Sequence, residues 1–312
     1  MSVLRWEVEG RNWPHRAASR FVSAAGLRWH VQIMGSGPPL VLLHGTGAAT
    51  HSWREVLPLL AADYTVIAPD LPGHGFTTGR PRGGLSLPGM AEAVAGLLAA
   101  LDAAHPAGIV GHSAGAAVAL QIVRQADPQD RAAAAIPLVG LNPALMPFPG
   151  LAARLFPSLA RLLFVNPLVP RMMAGIASLP GEPERFLERA TGSSVDAAGL
   201  AGYRTLFRNP GHCAGAIEMM ASWDLEGLSG ALATLTNPVL LVHAERDSAV
   251  PLDSIERAAV RLPHARLDVW PALGHLAHEQ RPDLAALAIR RHVEAERDVR
   301  HGLATADREG TG

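Results

Sequence analysis

The sequence predicts an α/β fold, a mostly parallel, doubly wound sheet with an inserted helical cap. Three observations predict it. Short apolar runs alternate with helix-spaced segments over most of the 312 residues. Each motif able to carry chemistry stands just after an apolar run, where a parallel sheet gathers ligands at the carboxyl ends of its strands. The alternation stops over residues 143–230, which read as amphipathic helices with Pro and Gly punctuation and no strand.

Residues 1–20 read as an irregular lead-in, and 21–34 as a strand pair around Gly26. Pro39–His44 is a buried strand breaking into the loop Gly45-Thr46-Gly47. Residues 52–62 have helical spacing, and Tyr64–Asp70 is a second buried strand. A helix is expected over Met90–Ala104, a strand over Ala107–His112 and a helix over Ala114–Ala126. Further strands are expected over Ala132–Val139, Pro238–His243 and Arg266–Trp270, with a closing helix over 276–296. Runs this apolar imply strands covered on both faces. The expected organisation is core over 1–142, cap over 143–230, core again over 231–297 and a flexible tail over 298–312.

The composition, 48% hydrophobic and 18% charged, is that of an ordinary globular protein. With 27 basic and 28 acidic residues, and the arginines scattered, there is no clustered footprint for nucleic acid. A single cysteine, Cys213, can form no internal disulfide and reads as packing rather than as a nucleophile. The N-terminus carries charges where a secretion signal needs an apolar stretch, and no run reaches membrane-spanning length, so a cytoplasmic protein is expected. There is no H-E-x-x-H, no cysteine cluster and no G-x-G-x-x-G after the first strand, so neither metal nor cofactor is expected.

Gly111-His112-Ser113-Ala114-Gly115 fits G-x-S-x-G between an expected strand and helix. A nucleophile on that sharp turn needs small flanking residues so that its hydroxyl can project from the sheet. The plainer reading is a Gly-rich helix start with Ser113 as cap. A serine hydroxyl needs a base. His275, after the last strand, is the candidate, and His278 reads as a packing residue at the start of the final helix. Asp247, after the strand ending near His243, is the acid that would orient the base, with Glu245 and Asp253 as solvated alternatives. The chain order Ser113, Asp247, His275 is that of the G-x-S-x-G hydrolases. Oxyanion donors are expected from the backbone amides of Thr46 and Ala114. In Asp70-Leu-Pro-Gly-His74-Gly75, Asp70 reads as a structural residue holding backbone or the neighbouring loop.

Together these residues resemble the α/β-hydrolase superfamily over about residues 20–296. More closely the chain resembles the magnesium-chelatase accessory proteins of bacteriochlorophyll biosynthesis. The discriminating segments are Thr50-His-Ser-Trp53, Ser86–Met90 and Met219–Leu225. The resemblance implies an α/β-hydrolase fold and a role near magnesium insertion into protoporphyrin. It also implies that magnesium chelatase subunits are candidate partners.

The cap segments Met146-Pro-Phe148, Leu151–Phe156, Leu159–Val165 and Val169–Met173 form an apolar surface interrupted by Arg154, Arg161 and Arg171. A flat porphyrin could pack there with arginines on its propionates, or the helices could rest on a photosynthetic membrane. The plain alternative is a cap packed on its own core. His44, Gly45, Met146, Phe148 and Trp223 are the substrate-binding candidates.

The expected function is serine-triad hydrolysis of an ester or acyl bond in a small hydrophobic substrate. The alternatives are a non-catalytic porphyrin-binding or chelatase accessory protein, a carbon–carbon bond hydrolase and a cofactor-free haloperoxidase. Dehalogenase and epoxide hydrolase chemistry are disfavoured, because Ser113 stands where those relatives place Asp.

Overall fold

A computed structural model describes residues 3–147, 166 and 168–309. Nine strands form one sheet: β1 (Ser19–Ala24), β2 (Leu27–Met34), β3 (Pro39–Leu43), β4 (Thr65–Pro69), β5 (Thr78–Gly79), β6 (Gly108–His112), β7 (Leu138–Leu141), β8 (Val239–Ala244) and β9 (Ala265–Trp270). Their order is β1-β2-β4-β3-β6-β7-β8-β9, with β5 paired to β2. Pairings that involve β2 are antiparallel and the rest are parallel.

The β1–β2 hairpin turns on Ala25 and Gly26, both with positive φ, the geometry that matches strand twist in a two-residue turn. The central strands are apolar throughout because both faces are covered. Every residue of β6, β7 and β8 is buried. The covering helices are α1 (Leu87–Ala100) and α2 (Ala114–Gln125), then, beyond the cap, α8 (Leu252–Arg261) and α9 (Pro282–Glu309). One core cluster joins α1 and α2 to one sheet face through Val94, Leu97, Val118 and Leu120. The other joins Trp53, Leu57, Ile289 and Val293 to the opposite face.

From β3 the chain moves outward to β4, and from β6 it proceeds the other way. The loops after β3 and β6 therefore face each other at the switch in strand order, where an open parallel sheet forms a crevice.

Four local expectations change. Residues 131–134 are a helical turn, not the start of a strand. The run Arg-Ala-Ala-Ala has no β-branched residue, and Asp130 Oδ1 accepts both the Ala132 and Ala133 amides at 3.0 Å. The strand starts at Leu138, after Pro137. Helix α1 starts three residues earlier than expected because Ser86 caps it, accepting the Gly89 amide at 3.2 Å. The expected closing helix splits into a turn over Ala277–Gln280 and α9, because Pro282 forces Arg281 out of helical geometry. Helix α9 then runs to Glu309, through the boundary expected at 297.

Between β7 and β8 the described residues hold no strand. They form α3 (Leu168–Ile176), α4 (Glu182–Thr191), α5 (Ala197–Phe207), α6 (Pro210–Ser222) and α7 (Leu225–Ala231). Segments 151–156 and 159–165, with Arg154 and Arg161, lie outside the described residues. Among the described residues no helix is long and apolar enough to cross a membrane.

Candidate active site

Five sheet-edge loops meet under the cap. Ser113 follows β6 directly and has φ 51° and ψ −116°, a conformation few side-chain-bearing residues adopt. The surroundings hold that strain. Ser113 N–H donates to Leu141 C=O at 2.9 Å, and Ser113 C=O accepts the Ala116 and Ala144 amides at 3.1 and 3.2 Å. The flanking glycines are required by backbone contact. A Cβ on Gly115 would lie 2.1 Å from the Leu43 carbonyl oxygen, and one on Gly111 would lie 2.2 Å from Ala116 N. Neither obstacle is a flexible side chain. Gly115→Ala is expected to cost about 2–3 kcal/mol. A thermal melt should show a drop of about 5–10 °C, and an unchanged melting temperature would contradict this packing.

Asp247 follows β8. Its Oδ1 accepts the Ala249 and Val250 amides at 2.7 and 2.9 Å, while Oδ2 sits 2.7 Å from His275 Nδ1. The Asp247 side chain is fully buried. His275 follows β9, and its backbone is gripped from several sides. Its N–H donates to Thr191 C=O at 2.7 Å. Its C=O accepts from Asn142 Nδ2 at 2.8 Å and His112 Nε2 at 2.9 Å. Ser193 Oγ accepts the next amide, Leu276 N–H, at 2.9 Å. Asn142, at the end of β7, also accepts Ala244 N–H at 2.7 Å, so one side chain ties three sheet-edge loops together.

His112 lies under His275, with its ring 4.7 Å from that of His275 and 4.4 Å from that of His278. His278 is fully buried between His112 and Trp53, where burial pushes its pKa down to about 3. It packs and does not line the cavity. Glu245 accepts the Ala272 amide, and Asp253 is a surface ion-pair partner of Arg257.

Neither the Thr46 nor the Ala114 N–H meets an acceptor among the described residues, and both residues border the same space as Ser113 and His275. The carbonyl of Gly45 belongs to the peptide whose N–H is that of Thr46. It accepts from His44 Nδ1 at 2.8 Å, while His44 Nε2 accepts Leu71 N–H at 2.8 Å. A trans peptide points its C=O and N–H in opposite directions, so His44 fixes where the Thr46 N–H aims. His44 was expected against substrate. It lies fully buried behind the loop instead, because its two ring nitrogens serve backbone.

Asp70 accepts Thr50 N–H, Phe76 N–H and His30 Nδ1–H at 2.7–2.8 Å, pinning the turn beside this loop. Burial opposes its charge, but the His30 ring and these donors outweigh burial and hold the carboxyl far below the usual range. His30 Nε2 in turn lies 2.9 Å from Ser19 Oγ. This serine–histidine–aspartate chain is covered by Trp6, Phe21 and Phe76, and none of its members borders the cavity.

The cavity has a volume of about 1070 Å³. Ser113, His275, Thr46 and Ala114 form its floor, and cap residues such as Ile176, Phe186, Tyr203, Ile217 and Trp223 form its walls. Gly45 borders it too. Met146 does not. It is buried in the core beside Leu145, since the chain leaving β7 is still packed there. Phe148 lies outside the described residues. Cys213 borders the cavity, but burial pushes its thiol up to about 11, so it is no nucleophile near neutral pH. Among the described residues no three metal-ligating side chains gather at a metal-sized site.

Asn142, Thr191, Ser193 and Tyr203 were not singled out from sequence. The one available signal was Asn142 directly after an apolar run, at a position that proves to need φ +46°.

The family model of the α/β hydrolase fold matches residues 38–282, and the chain belongs to that family. Within it, the chain is similar to the magnesium-chelatase 30 kDa subunit of Rhodobacter capsulatus, 41% identical over 278 residues that cover 87% of this chain and 93% of that one. The pimeloyl-(acyl-carrier protein) methyl ester esterase of Aromatoleum aromaticum is 30% identical over 265 residues, 81% of this chain and 96% of the esterase. Among solved structures, a thermophilic esterase from Thermogutta terrifontis superposes with a TM-score of 0.69 at 22% identity, covering 89% of this chain and 99% of that one.

Proposed function

We propose that this protein is a serine hydrolase that cleaves an ester or related acyl bond of a hydrophobic substrate in bacteriochlorophyll biosynthesis, at or near magnesium insertion into protoporphyrin. One observation carries the chemistry. His275, the strained Ser113 and two unpaired amides border one apolar cavity, and the buried Asp247 pairs with His275 from behind. The pathway rests on the similarity to the magnesium-chelatase subunit, and the bond class on the similarity to the methyl ester esterase.

In this reading Ser113 Oγ attacks the acyl carbon as its proton passes to His275 Nε2. Asp247 keeps the Nδ1–H tautomer and stabilises the imidazolium. The Thr46 and Ala114 amides bind the oxyanion. His275 returns the proton to the leaving group. It then takes a proton from water, whose hydroxide attacks the acyl carbon, and it returns that proton to Ser113 Oγ as the acid leaves.

A fluorophosphonate probe on the purified protein tests the reading. Stoichiometric labelling at Ser113 is expected, lost in Ser113→Ala, reduced at least a hundredfold in rate in His275→Ala, and unchanged in Ser19→Ala. Labelling that survives Ser113→Ala would remove the assignment.

The second reading, a non-catalytic chelatase partner, is favoured by the word "subunit" in the name of the 41% identical relative. Pigment synthesis separates the two in cells that lack their own copy. The hydrolase reading expects Ser113→Ala to fail, and full rescue by that variant would establish the partner role. Exposed Leu168 and Met172 on α3 support peripheral contact of the cap with a membrane. Co-sedimentation with anionic vesicles, weakened by Met172→Glu, is the expected result, and no sedimentation would end that proposal.

A further inference from the structure

We infer that His212, a cap residue, is a positioning residue for the oxyanion loop, so that docking of the cap and assembly of the oxyanion donors are one event. This inference rests on the hydrolase reading of the same site.

His212 lies in the first turn of α6 and is almost fully buried. Its Nδ1 is 3.1 Å from Gly75 N, and its Nε2 is 3.1 Å from the Gly47 carbonyl oxygen. A backbone N–H can only donate, so Nδ1 is the acceptor. The proton must then sit on Nε2, which donates to Gly47. Both ring nitrogens are thus committed to main chain, one on each of two core loops. His44 already holds the Gly45 carbonyl from behind. The carbonyls of Gly45 and Gly47, the residues on either side of Thr46, therefore rest on two histidines, one from the core and one from the cap. Between them the Thr46 N–H is left to face the cavity. Gly47 has φ +76°, the glycine position of a turn closed by Ala48 N–H donating to Gly45 C=O at 3.1 Å. The bond from His212 to the Gly47 carbonyl adds a second restraint, from the cap.

The placement of His212 is itself rigid. Asn209 caps α6 and accepts the His212 N–H at 3.0 Å. One turn further on, Gly215 packs so tightly that a Cβ there would lie 1.9 Å from the Gly73 carbonyl oxygen. The helix thus lies directly on the turn that follows β4. The ring is stacked edge-on against His74 at 5.3 Å, which meets His44 at the same spacing. His44 and His74 do not border the cavity, whereas His212 does. Burial holds the His212 pKa down to about 4, so the neutral form that the two bonds require persists through the neutral range.

A brace on the oxyanion loop acts on the charge that develops during reaction more than on the bound substrate. Its loss should therefore fall on kcat. The test uses the full chain with a short p-nitrophenyl ester and three proteins: wild type, His212→Gln and His212→Phe. Phe fills the space but cannot donate to Gly47. Gln carries an N–H at a reach close to that of Nε2. His212→Phe is expected to lower kcat about 30–100-fold with KM within twofold, and His212→Gln to recover at least a third of the wild-type kcat. Melting temperatures of both variants separate this pattern from loss of fold. A folded His212→Phe protein with wild-type kcat would overturn the inference. So would a loss confined to KM, or a His212→Gln protein no better than His212→Phe. If wild type shows no turnover that depends on Ser113, the hydrolase reading and this role fall together. If turnover depends on Ser113 but ignores His212, only this role falls.

Discussion

Asp247→Asn is expected to lower kcat/KM by about four orders of magnitude while leaving the fold intact. The reason lies in how the carboxylate is held. Oδ1 accepts two backbone amides, from Ala249 and Val250, and Oδ2 takes the Nδ1–H of His275. An asparagine has one carbonyl oxygen, and those two amides claim it. Its NH₂ must then face His275 Nδ1. Two donors cannot share that contact, so the imidazole moves its proton to Nε2. Nε2 is the nitrogen that must accept the proton of Ser113, and in that tautomer it cannot. The substitution changes no volume and breaks no backbone contact, so circular dichroism and melting should stay close to wild type. Steady-state hydrolysis of a p-nitrophenyl ester measures the effect. A loss smaller than tenfold would mean that Asp247 does not set the tautomer of His275.

The second large effect concerns stability. Six buried histidines, His44, His51, His74, His112, His212 and His278, have pKa values pushed down chiefly by burial. In the unfolded chain each takes a proton near pH 6.5. Below that pH the unfolded state holds protons that the native state refuses, so stability falls as pH falls. The loss starts near pH 6.5 and, for His212 and His278, continues to about pH 4 and about pH 3. Each group costs about 1.4 kcal/mol per pH unit across its window. By pH 5 these two together amount to about 4 kcal/mol. Glu279 works in the opposite sense. Burial, opposed by Arg54, pushes its pKa up to about 7, so its protonation favours the native state as pH falls from 7 to 4.5. That offsets about 2 kcal/mol at pH 5, and the other four histidines keep the net slope downward. Urea unfolding at pH 7.5, 6.5 and 5.5 should show a falling midpoint. His278→Phe should reduce the slope by about one proton, since neither ring nitrogen of His278 has a partner among the described residues. A midpoint independent of pH would show that these rings are hydrated in the native state.

The residues of the proposed site can be picked out in the sequence because their signals are local. The glycines around Ser113, the strand before it and the helix after it are neighbours in sequence, and the strained turn between them admits few other residues. Asp247 and His275 are proposed on the same ground, each just past an apolar run, and the structure pairs them at 2.7 Å. Elements with clean hydrophobic periodicity were found within a few residues of their ends. The errors fell where a local signal overrode the pattern. Asp130 capped a turn of alanines that resembled a strand, and Pro282 divided a helix that looked continuous.

The sequence by itself determined the class of fold and the loops that carry the three proposed residues, because these depend on contacts between near neighbours. Only the tertiary structure decided which groups work together. Ser19, His30 and Asp70 are the same three residue types as the proposed set and are joined by hydrogen bonds, yet they lie under Trp6 and Phe76, away from the cavity. His44 was expected against substrate and braces the loop from behind, while His212, one histidine among 14, reaches that loop from the cap. The physical reason is that hydrogen bonds to main chain and access to the cavity depend on where distant segments meet, and residue type says nothing about that. The bond from His212 to Gly47 joins positions 165 residues apart, and no pattern within either segment announces it.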